Sequence, residues 1–411
     1  MMAPKLRFGK FSGEWHKLNL GIASNYLKGF AFKSQDYSGQ GERIIRVSDL
    51  LSDSIKTQNE KIYISKSKID DLKKYKIKSG EIIITTVGSK PELRDSAVGR
   101  AIFVKEDGIG YLNQNLLKLT ANKGFNAAFI YMSISGNRYL SHIENIQRGN
   151  ANQSNITVSD LLEFPLFCPN EDEQLKLGLF LTAVDAKISQ LTKKHELLTI
   201  YKKGVMQKIF SQELRFKDDD GKDFSEWVKT NLGQVGKITS GVGFPNIEQG
   251  GSTGTPFYKV SDMNLSANEI EMHASNNYVS EMQIKQLRLK IIDKPAIIFA
   301  KVGAAIFLER KRIAKNFLID NNMMAFIPSF YIGFAKFLFD SIKLSQFAQV
   351  GALPSYNSSD ISIISVSIPC LDEQIKIANF LAAIDDKIMN VKAQLEAAKE
   401  YKQGLLQLMF I

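Results

Sequence analysis

The sequence predicts an α+β protein in which two homologous globular domains are joined and separated by two long helices. The helices are expected to pair as an antiparallel coiled coil, which gives the chain a circular organisation with pseudo-two-fold symmetry. Three observations predict this fold class. The 411-residue chain repeats itself internally, each copy ends in an apolar stripe with heptad spacing, and strand-like runs precede each stripe.

The repeat is clearest between the segment Pro169–Phe210 and the segment Pro369–Phe410. Twelve residues recur about two hundred positions later, and in the first copy they are Glu173, Gln174, Phe180, Leu181, Asp185, Lys187, Ile188, Tyr201, Lys202, Gly204, Gln207 and Phe210. Weaker matches precede the helices: Leu6-Arg7-Phe8 with Leu214-Arg215-Phe216, Glu14-Trp15 with Glu226-Trp227, Val47-Ser48-Asp49 with Val260-Ser261-Asp262, and Val87-Gly88 with Val302-Gly303. Repeats of this length are too long for a solenoid and indicate two homologous halves.

The first and third segments, 1–168 and 212–368, are predicted to be globular. Strands are expected at Glu81–Thr86, Ala101–Val104 and Ala296–Ala300, because these apolar runs are bounded by turn signals. Helical stretches are expected at Ala127–Met132 and Phe334–Phe339. Each segment is long enough to bury its own core.

The second and fourth segments, 169–211 and 369–411, are predicted to be long helices. The first stripe consists of Leu177, Leu181, Val184, Ile188, Leu191, His195, Leu198, Lys202, Val205 and Ile209. The second consists of Ile377, Leu381, Ile384, Ile388, Val391, Leu395, Ala398, Lys402, Leu405 and Met409. Steps of four and three are the spacing of a coiled-coil seam, and acidic residues open both segments where the helix dipole favours them.

Each helix would be about 60 Å long at ~1.5 Å per residue and cannot bury its stripe alone. Antiparallel pairing would place the end of the second helix beside the first domain, whose Leu6-Arg7-Phe8 has no helix before it. The alternative is that each stripe packs onto its own domain.

Composition favours a cytoplasmic protein that meets a polyanion. No secretory signal opens the chain, no apolar run reaches membrane length, and Cys168 and Cys370 are expected to be ordinary thiols. The net charge is +10, and residues 1–170 hold 24 Lys and Arg against 16 Asp and Glu. Such a basic excess is typical of proteins that contact nucleic-acid phosphates.

The sequence offers no sign of catalytic chemistry. All ten prolines are isolated, so the N/D/S-P-P-Y/F signature of amino-methyltransferases is absent. The segment Asn231–Ile238 lacks two residues that a phosphate loop needs, and the histidines and cysteines have no metal-ligand spacing. His195 lies in the stripe, where a polar residue that sets the helix register is the simpler explanation than a catalytic role.

The order of domains and P-x-x-x-E-Q helices resembles the specificity subunit of type I restriction-modification systems. The residues that carry the resemblance are Pro169–Gln174 with Phe180-Leu181 and Pro369–Gln374 with Phe380-Leu381, together with the two Val-Ser-Asp elements. The resemblance implies a non-catalytic reader of double-stranded DNA. Each target-recognition domain would read one half of a bipartite asymmetric site, and the helical pair would set the gap.

The resemblance also implies partners. Two modification subunits would bind the helices and methylate adenine with S-adenosylmethionine, and two restriction subunits would translocate and cleave DNA with ATP and Mg. The chain itself would bind no cofactor and no metal, and it would not contact a membrane. The remaining alternatives are a coiled-coil scaffold or another DNA-binding protein outside restriction-modification, and a self-contained DNA-modifying enzyme.

Two sets of residues are candidates for these contacts. Polar side chains able to reach bases or phosphates are Arg43, Arg46, Lys90, Arg94, Arg148, Asn150, Gln153 and Asn155 in the first domain, and Lys259, Lys301, Arg310, Lys311, Arg312, Ser355, Tyr356 and Asn357 in the second. The loops 149–153 and 351–357 are favoured because they occupy equivalent places before the helices. The alternative is that these residues are merely solvated.

The second set is the group of polar residues that recur in the helices: Glu173, Gln174, Asp185, Lys187, Tyr201, Gln207, Glu373, Gln374, Asp385, Lys387, Tyr401 and Gln407. They either bind two copies of one partner subunit symmetrically or cap and staple the helices, and the sequence leaves both interpretations open.

Overall fold

The structure is a computed structural model that describes residues 3–51, 54–57, 59–90, 97–150, 153–349 and 353–411, without the side chain of Asn150. The chain forms two compact units. Unit 1 comprises residues 1–193 and 392–411, and unit 2 comprises residues 194–391. The division therefore falls inside both long helices.

Unit 1 is a mixed helix and sheet structure. Its strands are β1 (His16–Asn19), β2 (Ser24–Lys28), β3 (Tyr37–Ser38), β4 (Glu42–Ile45), β5 (Ile62–Ile64), β6 (Ile82–Thr85), β7 (Val87–Gly88), β8 (Ala101–Phe103), β9 (Tyr111–Leu112), β10 (Leu116–Ala121), β11 (Arg148–Asn150), β12 (Gln153–Asn155) and β13 (Pro165–Cys168). Its helices are α1 (Leu20–Ala23), α2 (Ala127–Ser133), α3 (Asn137–Ile146), α4 (Val158–Leu162) and the first part of α5 (Glu171–Phe210).

Unit 2 follows the same plan. Its strands are β14 (Val228–Asn231), β15 (Gly236–Ser240), β16 (Thr255–Tyr258), β17 (Tyr278–Val279), β18 (Ala296–Ala300), β19 (Lys311–Ala314), β20 (Leu318–Ile319), β21 (Met323–Pro328) and β22 (Ser365–Ile368). Its helices are the last part of α5, α6 (Glu281–Gln286), α7 (Ile332–Ser341), α8 (Ser358–Ser362) and the first part of α9 (Leu371–Met409).

The central sheets of the two units have equivalent topologies. Strand order is β2-β10-β6-β8 in unit 1 and β15-β21-β18-β19 in unit 2, and all neighbours in both sheets are antiparallel. β6 and β18 are buried along their whole length, which explains their uninterrupted apolar sequences. The strands expected at 81–86, 101–104 and 296–300 and the helices expected at 127–132 and 334–339 are confirmed.

Smaller sheets extend each unit. β3-β5-β4-β9 in unit 1 and β17-β16-β20 in unit 2 each contain one parallel pair, β4 with β9 and β16 with β20. The last strand of each globular part pairs antiparallel with the first strand of that part. β13 pairs with β1 in unit 1, and β22 pairs with β14 in unit 2. This pairing brings the start of each globular part to the start of its long helix.

The long helices supply part of the core in each unit. In unit 1, Leu177 and Leu181 of α5 and Leu405 and Met409 of α9 lie in one buried cluster with Phe129. In unit 2 the corresponding cluster contains Met206 and Ile209 of α5 with Ile377 and Leu381 of α9. The end of α9 also bonds to the start of the chain, because the Leu6 amide donates to the Leu408 carbonyl at 2.9 Å. This contact confirms the prediction that the end of the second long helix lies beside the first domain.

The two helices run antiparallel. In unit 1 the Lys402 ammonium lies 2.7 Å from the Asp185 carboxylate, so the end of α9 meets the first half of α5. In unit 2 Lys202 lies 2.5 Å from Asp385, so the last part of α5 meets the first half of α9. Every residue of both predicted stripes is buried or half-buried. The prediction of an α+β fold with an antiparallel helical pair is confirmed. Among the described residues, no helix is long and apolar enough to cross a bilayer.

Candidate nucleic-acid interface

Gly149, Asn150 and Gln153 of the predicted loop 149–153 lie in β11 and β12, which form a three-stranded edge of unit 1 with β7, while positions 151 and 152 lie outside the described residues. β11 pairs with β12, and β12 pairs with β7, so Ser154 and Asn155 lie opposite Gly88 and Val87. Gly149 has φ +118°, and a Cβ there would lie 2.4 Å from the Gln153 carbonyl oxygen. The close approach of β12 therefore requires glycine at this position.

This edge presents several of the candidate polar residues to solvent. Gln153 and Asn155 are exposed, and Lys90 follows β7 as a half-buried residue. Arg148 is 65% exposed and lies 2.9 Å from the Asp160 carboxylate. Arg94 and the side chain of Asn150 lie outside the described residues. The edge thus combines amides that can read base edges with cations that can contact phosphates.

Unit 2 has a related edge at the corresponding place in the repeat, formed by residues 353–357 of the predicted loop 351–357, while positions 351 and 352 lie outside the described residues. Val302 bridges to Ser355, and Ser355 bridges to Gln349. The Gly303 amide donates to the Pro354 carbonyl at 2.8 Å, and the Tyr356 amide donates to the Lys301 carbonyl at 3.2 Å. Lys301 and Ser355 are thereby brought together. Asn357 is exposed, but its side-chain oxygen already caps α8 by accepting from the Ser359 and Asp360 amides.

Two candidates in unit 2 are corrected by their burial. Tyr356 is 4% exposed, and its hydroxyl donates to the Ala300 carbonyl at 2.6 Å. Burial raises the pKa of this phenol. Lys311 is 2% exposed, and its ammonium donates to the Glu309 carboxylate and the Ile342 carbonyl. The prediction that these two side chains contact DNA is wrong, because their polar atoms are satisfied inside unit 2.

Other cationic candidates are engaged within their own unit. Arg312 is half-buried and donates to the Asn268 carbonyl at 2.5 Å, and desolvation lowers the pKa of its guanidinium. Arg310 donates to the Asn264 side chain, and Lys259 donates to the Gln249 side chain. These contacts leave the three residues only partly exposed.

The repeated Val-Ser-Asp elements are turns with a buried aspartate. Asp49 and Asp262 are at most 1% exposed, and each accepts a hydrogen bond at 2.8 Å from the amide three residues earlier. The Arg46 guanidinium turns back to Asp49, at 3.3 Å from its nearest oxygen, and Arg43 donates to the Lys56 carbonyl at 2.8 Å. The recurrence of this element is explained by its turn geometry.

Glu173 ties the start of α5 to the start of the chain. It is 0% exposed, and the Arg7 guanidinium donates to it twice, at 2.6 and 2.7 Å. This hydrogen bonding raises the pKa of Arg7. In unit 2, Glu373 is likewise 0% exposed and accepts from Arg215 at 2.9 Å and from the Trp227 indole at 3.0 Å.

The neighbouring glutamines join the long helices to α2 and α7. The Gln174 side chain accepts from the Asn126 amide and donates to the Pro169 carbonyl. Gln374 makes the same contacts with the Tyr331 amide and the Pro369 carbonyl. All four side chains are buried and satisfied internally, which favours the interpretation that they cap and staple the helices.

The remaining recurrent helix residues differ in exposure. Asp185 and Asp385 pair with the lysines of the facing helix. Six residues point to solvent and stay available to a partner, namely Lys187, Lys387, Tyr201, Tyr401, Gln207 and Gln407. Sequence reasoning missed Arg7 and Arg215 as partners of the glutamates, although their recurrence in Leu-Arg-Phe was the available signal. Within the described residues, no group of His, Cys, Asp and Glu could hold a metal ion.

Two copies of one α+β unit, each with a polar edge in the same place, define a two-domain recognition protein. The family model for the type I restriction modification DNA specificity domain matches residues 13–199 and again 224–400. The chain belongs to this family and carries two of its target-recognition domains.

Known proteins agree with this assignment over most of the chain. The putative type I restriction enzyme MjaX specificity subunit of Methanocaldococcus jannaschii is 23% identical over 98% of this chain and 95% of its own length. The EcoBI specificity subunit of Escherichia coli is 22% identical over 88% of this chain and 77% of its own length. The crystal structure of the S subunit from M. genitalium matches 100% of this chain and 99% of that chain, with a TM-score of 0.63 and 16% identity, which shows the shared fold.

Proposed function

We propose that this chain reads a bipartite asymmetric site in double-stranded DNA, with one half-site contacted by the polar edge of each unit. The observation that carries the proposal is the repeated edge, formed by Val87-Gly88 with β12 in unit 1 and by Val302-Gly303 with Ser355 in unit 2. Exposed Gln153 and Asn155 would read base edges, and Lys90, Arg148 and Lys301 would contact phosphates.

The helical pair sets the gap between the half-sites, and the exposed residues of the helices recruit the partners. Lys187, Tyr201 and Gln207, with their counterparts in α9, form two equivalent surfaces for two modification subunits, and two restriction subunits join that complex. The chain itself is non-catalytic and acts in the cytoplasm. Its functional segments are the domains 1–168 and 212–368 and the helices 169–211 and 369–411.

The test is methylome sequencing of cells that express the chain together with its candidate methyltransferase partner, compared with cells that lack the chain. We expect a new bipartite motif with a modified adenine in each half. Gln153→Ala with Asn155→Ala should relax recognition in one half only, because each unit reads its half independently. A soluble complex that adds no motif would favour the scaffold function instead.

A further inference from the structure

The segment between Gly303 and Glu309 presents large apolar side chains to solvent. Phe307 is 60% exposed and Leu308 is 56% exposed, and both lie in the 3-10 turn Ala304–Leu308. Leu353, which is 63% exposed, lies over Gly303. Adjacent exposed apolar side chains are unfavourable in water and mark a surface that becomes covered in a complex.

The 3-10 turn is anchored to unit 2 by Ile306 and by Glu309. Ile306 is 2% exposed and packs into the core of unit 2. The Glu309 carboxylate accepts hydrogen bonds from the Leu344 amide at 3.1 Å and the Ser345 amide at 2.8 Å. It also pairs with buried Lys311 at 2.5 Å. Phe307 and Leu308 are therefore held outward before any partner arrives, which lowers the entropy cost of binding.

The position of the turn indicates what covers it. The Gly303 amide is hydrogen-bonded to the Pro354 carbonyl in the candidate interface of unit 2. Lys301 and Arg310, which lie on either side of the segment in the sequence, are cationic. A partner with an anionic surface and an apolar interior fits this combination. Duplex DNA has both, because phosphates surround stacked bases.

A second exposed apolar pair in unit 2 lacks this charge. Ile247 is 93% exposed and Met282 is 75% exposed, and Gln283 joins their segments by donating to Glu248 at 2.7 Å. Glu309, the acidic neighbour of Leu308, is paired with buried Lys311, whereas Glu248 and Glu281 next to Ile247 and Met282 are acidic and disfavour contact with phosphates. The charge contrast selects the Phe307 turn as the one that meets DNA.

We propose that Phe307 and Leu308 form an apolar wedge that inserts between neighbouring base pairs of the half-site read by unit 2, while Lys301 and Arg310 contact the flanking phosphates. This inference rests on the proposed function. Apolar side chains that enter a base step partly unstack and kink the duplex, and the cost depends on the sequence of that step. The wedge would therefore add specificity at a step that no hydrogen bond reads.

The wedge belongs to one half of the site. In the first copy, Val87-Gly88 is followed by Ser89-Lys90-Pro91-Glu92-Leu93-Arg94, which has no pair of adjacent large apolar residues. The two half-sites should therefore differ in deformation even though the two units share a topology.

The experiment uses the complex of the full chain with its methyltransferase partner, bound to a duplex that carries the target from methylome sequencing. 2-Aminopurine is placed at successive positions of each half-site, outside the methylated adenines, since base flipping would raise its fluorescence there. We expect a rise at one step in the unit 2 half only. Phe307→Ala with Leu308→Ala should abolish the rise and weaken specific binding about 10- to 100-fold, the size of a lost stacking contact.

The controls separate the wedge from other causes. Ile247→Ala with Met282→Ala removes equally exposed apolar side chains and should leave both readouts unchanged, and Phe307→Leu should retain most of the effect. Specific binding without a fluorescence rise in that half overturns the wedge and leaves the proposed function standing. Loss of the methyltransferase partner by the Phe307 and Leu308 variant also overturns it, because the pair would then be a protein contact. A wild-type complex with no preference for the target overturns the proposed function, and the wedge with it.

Discussion

Recurrence of a residue within this chain reflects folding as well as partner binding. Glu173 and Glu373 occupy the same place in the two copies, and each accepts charge-assisted hydrogen bonds from an arginine near the start of its own globular part. Such forked pairs are stronger than neutral hydrogen bonds and fix geometry. The Glu-Gln element therefore closes each globular part onto its helix.

Removal of the Glu173 carboxylate should destabilise the chain in the absence of any partner. Glu173→Ala leaves Arg7 without its buried counter-charge, and we expect the free energy of unfolding to fall by about 3 kcal/mol, the low end for a buried pair, since the Arg7 side chain is 16% exposed. Denaturant unfolding of the purified chain measures this change. Asp172→Ala, which removes the exposed neighbouring acid, is the matched control. Unchanged stability together with lost methyltransferase binding would restore the partner-contact interpretation.

At the scale of elements, the sequence predicted what depends on local periodicity. The ten stripe positions of each helix follow from steps of four and three, and the strands β6 and β18 follow from apolar runs. The pairing of β7 with β12 joins residues more than sixty positions apart in the sequence, and no local sequence pattern predicts it. Lys311 and Tyr356 were misassigned for the same reason, because side-chain direction in unit 2 is set by tertiary packing.

The interhelical ion pairs should fix the register of the helical pair. Asp185→Lys alone places two like charges at the contact with Lys402, whereas the exchange Asp185→Lys with Lys402→Asp restores the pair. We expect each single variant to lower the melting temperature and the exchange to recover most of the loss, with a coupling of about 1 kcal/mol, because both side chains are mostly buried. Lys187→Asp, at an exposed position two residues after Asp185, controls for charge alone. Additive effects of the two substitutions would show that the pair does not set the register.

At the scale of the whole molecule, the two units share a topology but differ in how they should hold DNA. Residues 1–170 carry eight more basic than acidic residues, 24 against 16, while residues 212–370 carry one more, 17 against 16. Phosphate contacts release counterions, so contacts by the first domain should account for most of the salt dependence. The second domain, with less charge and an exposed apolar pair, should depend more on shape and stacking.

The length of the helices should determine the gap in the target. Duplicating Leu191–Leu197 in α5 and Val391–Ala397 in α9 adds one heptad to each helix, keeps both stripes in phase and lengthens each helix by about 10 Å at ~1.5 Å per residue. That length corresponds to about 3 base pairs at ~3.4 Å each. Methylome sequencing should then report the same two half-sites with a gap about 3 base pairs longer, because neither reading edge has changed.

The same duplication in α5 alone supplies the contrast. It leaves the two stripes unequal in length, so the ion pairs of both units cannot form together, and we expect loss of stability rather than a longer gap.

An unchanged gap in the double insertion would mean that the partner subunits, and not these helices, fix the spacing. A lost half-site would mean instead that the edges of the two units depend on each other. The three outcomes are distinct in one sequencing experiment, because the half-sites and the gap are read separately.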